Sequence, residues 1–328
     1  MKKTLLLNIV LIISISFGSL VAQNLNGTYF SIEWISNFSY EEDVKKEDSF
    51  LSEIFNFIVG EKHTKLIKPF SIVKLDSNSY FILDQGRFLP VLITDEGFKT
   101  INNEKFMSFP SLVGVCQLSD GIVLFSDSKL AKIFSYDVGN DILEVFIDCG
   151  GLVNPTGLAF DRIQKLIYIT DTSNHRIIVC NMDGRLVRTI GERGVDDGQF
   201  NFPTFLTLDN EGKIYVVDAM NFRIQIFDKD GKFIKKFGEA GDATGYFSRP
   251  KGIAVDSYGH IFIVDALFHI VQVFDFNGNF LYNFGGMGQE NSRFWLPTGI
   301  SIDSQNNILV ADSYNSRIQV FRLIDAKK

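Results

Sequence analysis

PTFLTLDNEGKIYVVDAMNFRIQIFDKDGKFIKKFG, residues 203–238, is one copy of a unit that recurs along the chain. It reads as four short strands. PTFLTLD is the first, IYVVD the second, FRIQIFD the third and FIKKFG the fourth. The turns DNEGK (209–213) and DKDGK (228–232) separate them with Asp, Asn and Gly, the residues that accept the left-handed geometry of tight hairpins. The second strand is apolar throughout, which predicts burial on both faces. The first alternates Leu206 and Leu208 around Thr207, a large–small pattern suited to the strand nearest a crowded axis.

Working outward, the same unit opens as PTGLAFD at Pro155, PKGIAVD at Pro250 and PTGISID at Pro297. Each copy carries a second apolar run to Asp171, Asp265 or Asp312, and the Asp residues of the last four copies are 47 residues apart. Third strands follow as HRIIVCN, HIVQVFD and SRIQVFR. Two looser copies open at Pro69 and Pro110, with Asp84 and Asp127 spaced 43 and 44 residues from their successors. A period of about 40–50 residues with four strands per unit predicts an all-β, six-bladed β-propeller. The sixth copy stops after its third strand, so an N-terminal strand is expected to complete the last blade. Residues 54–59, followed by Gly60-Glu61-Lys62, resemble other fourth-strand endings and are the expected closing strand.

Residues 1–23 read as a secretory signal: Lys2 and Lys3, an apolar run over 5–17, then Val21-Ala22-Gln23 as the cleavage region. Retention as an anchor stays open, although the run is short for a span. With no Cys at the cleavage region, a bacterial lipoprotein is disfavoured. The expected organisation is therefore a signal peptide at 1–23, an extension at 24–53 and the propeller at 54–328, in a secreted or periplasmic protein.

The 328 residues carry 32 Lys and Arg against 39 Asp and Glu, for a net charge of −7; loss of 1–23 leaves 30 against 39, or −9. Such a chain repels phosphate backbones unless basic residues segregate, and with export this argues against nucleic acid. Cys116, Cys149 and Cys180 are odd in number and widely spaced. No Cys-x-x-Cys, phosphate loop or nucleophile elbow is present.

The pattern P-x-G-[IL]-[AST]-[VIF]-D, an apolar run to Asp, N-x-R-I-Q-[VI]-F and F-[IL]-x-x-F-G resembles the NHL-repeat family, strongly from residue 151 and loosely before it. DTSNHRI (171–177), DAMNFRIQIF (218–227) and DSYNSRIQVF (312–321) carry the resemblance, as do connections such as Phe237-Gly238 through Phe247 to Pro250. A signal peptide plus six blades is similar to exported bacterial propellers. The resemblance implies that Arg176, Arg223 and Arg317, each following Asn174, Asn221 or Asn315, brace their blades against Asp and carbonyl groups. The remaining copies lack the pair, with Arg87/Leu89, Leu130/Lys132 and Phe268/Ile270 in its place.

The loops entering first strands and those joining second to third strands share one rim. There the sequence places Arg87, His175, Phe222, Lys251, Phe268, His269 and Tyr314 as candidates for contact with a protein, peptide or glycan. The leading expectation is thus a binding scaffold, monomeric and without a cofactor. The alternative is a metal-dependent lyase or hydrolase at the channel mouth, since some similar propellers are amidating lyases with three zinc-binding His; here the set would be His63, His175 and His269. RNA binding, as in cytoplasmic relatives of the family, ranks behind both. The recurring Asp residues are read as structural, because a group present once per blade serves the blade.

Overall fold

A computed structural model describes residues 19–23, 29–39, 65–76, 79–119, 121–147 and 151–325. They form six antiparallel sheets around one axis, each a meander with its first strand innermost. Blades one to five span 69–100, 112–147, 155–190, 203–237 and 250–285. Successive innermost strands abut around the ring, and Ile300–Ile302 of blade six meets Pro69–Lys74 of blade one to close it.

Blade six is completed from the N-terminal side, but by a strand other than the expected one. Tyr29–Phe38 pairs antiparallel with Arg317–Asp325, with Trp34 opposite Phe321 and Phe38 opposite Ile318. Ser19–Gln23 adds a fifth strand outside it. Residues 54–59 lie outside the described residues. The closing strand therefore falls within the stretch assigned to the extension. Its apolar residues fit the joint: Ile32 packs between blades five and six, and Phe38 between blades six and one.

The core is divided among the six joints, one apolar cluster between each pair of neighbouring blades. This explains why second strands such as Ile214–Asp218 and Ile261–Asp265 are buried along their whole length. It also accounts for the Phe-rich composition. Phe200, Phe247 and Phe294, from the loops between blades, are wholly buried beside Phe227, Phe274 and Phe321 of the third strands. In blades three, four and five a Gly at the end of the fourth strand, Gly191, Gly238 or Gly285, makes room for that ring. A Cβ on Gly238 would stand 2.3 Å from Phe247, and its φ of +97° is one that side chains disfavour.

Candidate functional site

Six buried carboxylates build the loop rim. Asp84, Asp127, Asp171, Asp218, Asp265 and Asp312 are fully buried at the ends of second strands. Each accepts backbone N–H groups from the loop entering its blade, as in Ile67 and Lys68 to Asp84 at 2.7 and 2.8 Å, and Asn201 to Asp218 at 2.6 Å. In blades three, four and six the carboxylate also accepts from Asn and Arg side chains, Arg223 Nε lying 2.7 Å from Asp218. Those Arg residues reach on to loop carbonyls, bracing the blade as the resemblance implied. In blades one, two and five, which lack the pair, backbone N–H groups of the following turn donate instead: Gly86 and Arg87, Lys129 and Leu130, Leu267 and Phe268. The missing pairs are thus a substitution of backbone donors for side-chain donors.

All seven predicted rim residues stand on this face, and most are engaged in building it. Arg87 Nε donates to the Lys65 carbonyl at 3.0 Å. His175, Phe222 and His269 hold the left-handed corner of the turn between second and third strands. The backbone N–H of Phe202 donates to His175 Nδ1 at 3.1 Å, and that of Leu296 to His269 Nδ1 at 3.0 Å, so each imidazole fastens the next blade. Phe222 packs into the cluster between blades four and five. Phe268 is half-buried, and Tyr314 is exposed. His63 lies outside the described residues. Among those described, no group of three His, Cys, Asp or Glu is placed to hold a metal.

Of an apolar arc on this rim the sequence reading named Tyr314 and missed the rest. Two residues after the Asp, one turn position points outward, and blades four, five and six carry Met220, Leu267 and Tyr314 there, each about half exposed. Phe202, Trp295 and Ile67, on the loops into blades four, six and one, extend the exposed arc around that half of the rim. The signal was available in blades three to five: there the left-handed corner, His175, Phe222 or His269, packs inward, while the residue two before it faces solvent.

The axis carries a second feature. A cavity of about 890 Å³ opens on the opposite face, among the turns between first and second strands. Its wall includes a column of small residues, Cys116, Ala159, Thr207, Ala254 and Ser301. Burial pushes the Cys116 thiol up to about 12, so it is a protonated wall group. The Lys74 amine lies 2.8 Å from the Asp303 carboxylate, joining blades one and six within the wall. None of the seven predicted rim residues lines this cavity.

Between cavity and rim the axis is obstructed. At five joints a hydrogen bond crosses to the carbonyl of the second residue of the next first strand: Thr298 Oγ1 to Phe70, Ser71 Oγ to Val113, Ser126 Oγ to Thr156, Thr156 Oγ1 to Thr204, and Gly252 N–H to Thr298. A third-position Gly permits the close approach, since a Cβ on Gly157 would stand 2.7 Å from the Thr204 oxygen. Blade four has Phe205 in place of that Gly. Phe205 meets Phe70 of the opposite blade, ring centroids 6.1 Å apart, and the Lys251 amine lies 5.9 Å from the centre of the Phe70 ring. At the joint from blade four to blade five the buried Thr204 hydroxyl has no hydrogen-bond partner.

Residues 294–321 match the NHL repeat, and residues 206–272 match a family described as 6-bladed beta-propeller. The chain is a six-bladed β-propeller that carries an NHL repeat at residues 294–321. Three solved structures show how far this propeller resembles others. An auxiliary nutrient binding protein from Bacteroides thetaiotaomicron is 11% identical at a TM-score of 0.64, with 93% of this chain and 83% of that one covered. A protein of unknown function from the same organism is 13% identical at 0.62, covering 93% and 84%. Virginiamycin B lyase from Staphylococcus aureus is 15% identical at 0.58, covering 90% and 100%. At these identities the likeness is one of fold. Among the described residues no helix is long and apolar enough to cross a membrane.

Proposed function

We propose that the protein is an exported scaffold that binds a protein, peptide or glycan partner through its loop rim. The observation that carries this reading is the arc of half-exposed apolar side chains, including Met220, Leu267 and Tyr314, on rigid turns of consecutive blades. Clustered apolar side chains on a surface favour a partner that covers them, and the rim has room for an interface of about 800 Å². The geometry supports binding over metal chemistry at the channel mouth. His175 and His269 stand on the rim with Nδ1 engaged by backbone N–H groups, while the cavity opens on the other face.

A photo-crosslinking residue at position 220, 267 or 314 in cells tests the reading, with positions 163 and 258 on the opposite face as controls. One common partner captured from all three rim positions is expected. Capture from the control positions alone, or from none, would overturn it.

A further inference from the structure

The rim concentrates positive charge at its centre although the chain is acidic overall. Lys68 and Arg249 occupy equivalent places, just before the Pro that opens blades one and five, and Lys251 stands two residues beyond Arg249. Among the described residues none of the three makes an ion pair. The nearest repeat carboxylates, Asp84 and Asp265, are occupied by backbone N–H groups of Lys68, Arg249 and their neighbours. Lys251 fills a position that is Thr in blades three, four and six. It stands at the one joint where the interblade hydrogen bond is missing and the Thr204 hydroxyl is unpartnered.

We propose that the centre of the loop rim, where Lys251, Arg249 and Lys68 converge beside the Phe70–Phe205 obstruction, receives a carboxylate side chain from an acidic, apolar peptide segment of the partner. The inference rests on the rim-binding reading and names the chemistry of its partner. Burial, with Arg249 and Lys68 nearby, pushes the Lys251 amine down to about 8, a sign of a cation lacking its counter-charge. A carboxylate placed there supplies that charge and steers association. The apolar arc adjoins the site, and the Lys68 amine lies 5.1 Å from the centre of the Tyr314 ring. Met220, Leu267 and Ile67 suit apolar side chains of a peptide better than the hydroxyl-rich faces of a sugar. The aromatic obstruction below stops an inserted group at this depth.

The test uses a fluorescein-labelled peptide of alternating Glu and Phe, its Gln–Phe counterpart and an oligogalacturonate, each titrated by fluorescence anisotropy against the wild-type protein and Lys251→Thr. The variant restores the residue of three sister blades, and its melting is recorded to confirm folding. The Glu peptide is expected to bind, with affinity falling about tenfold in Lys251→Thr and about tenfold on Glu-to-Gln replacement. No binding, equal affinity for wild type and variant, equal affinity for Glu and Gln peptides, or preference for the oligogalacturonate would overturn the proposal. Crosslinking from 220, 267 and 314 in the Lys251→Thr background separates the two readings. Undiminished capture leaves the rim reading standing and defeats the carboxylate dock, whereas absence of capture in the wild type defeats the rim reading itself.

Discussion

The imidazole of His175, at the corner of blade three, accepts the backbone N–H of Phe202 from the loop entering blade four at 3.1 Å. Phe202 has a φ of +50°, a strained setting for an aromatic residue, and the bond helps hold it there. His175→Ala is therefore expected to cost about 1–2 kcal/mol and to accelerate hydrogen exchange at the Phe202 amide. Unchanged exchange there would show that the imidazole does not hold the loop.

The ion pair between Lys74 and Asp303 closes the ring on the cavity side. Burial opposes the Asp303 charge, but hydrogen bonds from Asn307 and Lys74 outweigh it and hold the carboxyl below the usual carboxylate range. Its contribution is present above the unfolded value, near 4, and is lost as pH falls through the lower folded value. Lys74→Met should lower stability by about 1–2 kcal/mol at pH 7 and reduce the loss on acidification. Urea midpoints at pH 7 and pH 3 measure both effects.

Phe247 and Gly238 form a matched pair. Phe247→Ala empties a fully buried site and should cost about 3–5 kcal/mol. Gly238→Ala should also destabilise, by clash with Phe247 and by its positive φ. The double variant should cost less than the two together, because removing the ring abolishes the clash. Additive costs in a denaturant double-mutant cycle would contradict this coupling.

Lys251 gives the same pH sign in an alkaline window, because there it is loss of charge that favours the fold. Its folded value of about 8 lies below the ordinary 10.5, so between these limits the unfolded chain binds more protons and stability rises with pH. The gain should be about 1–2 kcal/mol between pH 7.5 and 10, and Lys251→Thr should remove it. Equal slopes for the two proteins in unfolding titrations would contradict the assignment.

Two truncations separate the N-terminal strands. Removal of 1–23 deletes Ser19–Gln23 and leaves Tyr29–Phe38 on blade six, so melting should be cooperative. Removal of 1–38 bares the edge of Arg317–Asp325 and should cause aggregation or loss of the cooperative transition, read by light scattering and calorimetry.

The blades were legible because their punctuation is local. Pro at or just before the first strand and Asp at the end of the second recur in every unit, and in blades three, four and five a Gly at the end of the fourth joins them. Tyr29–Phe38 was not legible, since a strand that joins an existing edge needs none of that punctuation. Its Ile32 and Phe38 acquire meaning only against blades five and one. Residues 54–59 resemble a fourth-strand ending in composition and lie outside the described residues. At the rim, Phe222 drew attention by its chemistry, yet the left-handed corner turns it inward, while Met220 lies outside. Phe205 and Lys251 were visible as departures from Gly and Thr. Their meeting with Phe70 at the axis emerges only when sectors distant in sequence are brought face to face.

Pairing Tyr29–Phe38 with Arg317–Asp325 brings together segments nearly the whole chain apart. A ribosome makes the first long before the second, so the circle cannot be finished until residues 317–325 have been made. Until then the early strand waits without its mate, and the loop to be closed takes in every intervening strand of the ring. The step that fixes the final shape of the ring therefore comes after every blade has been laid down.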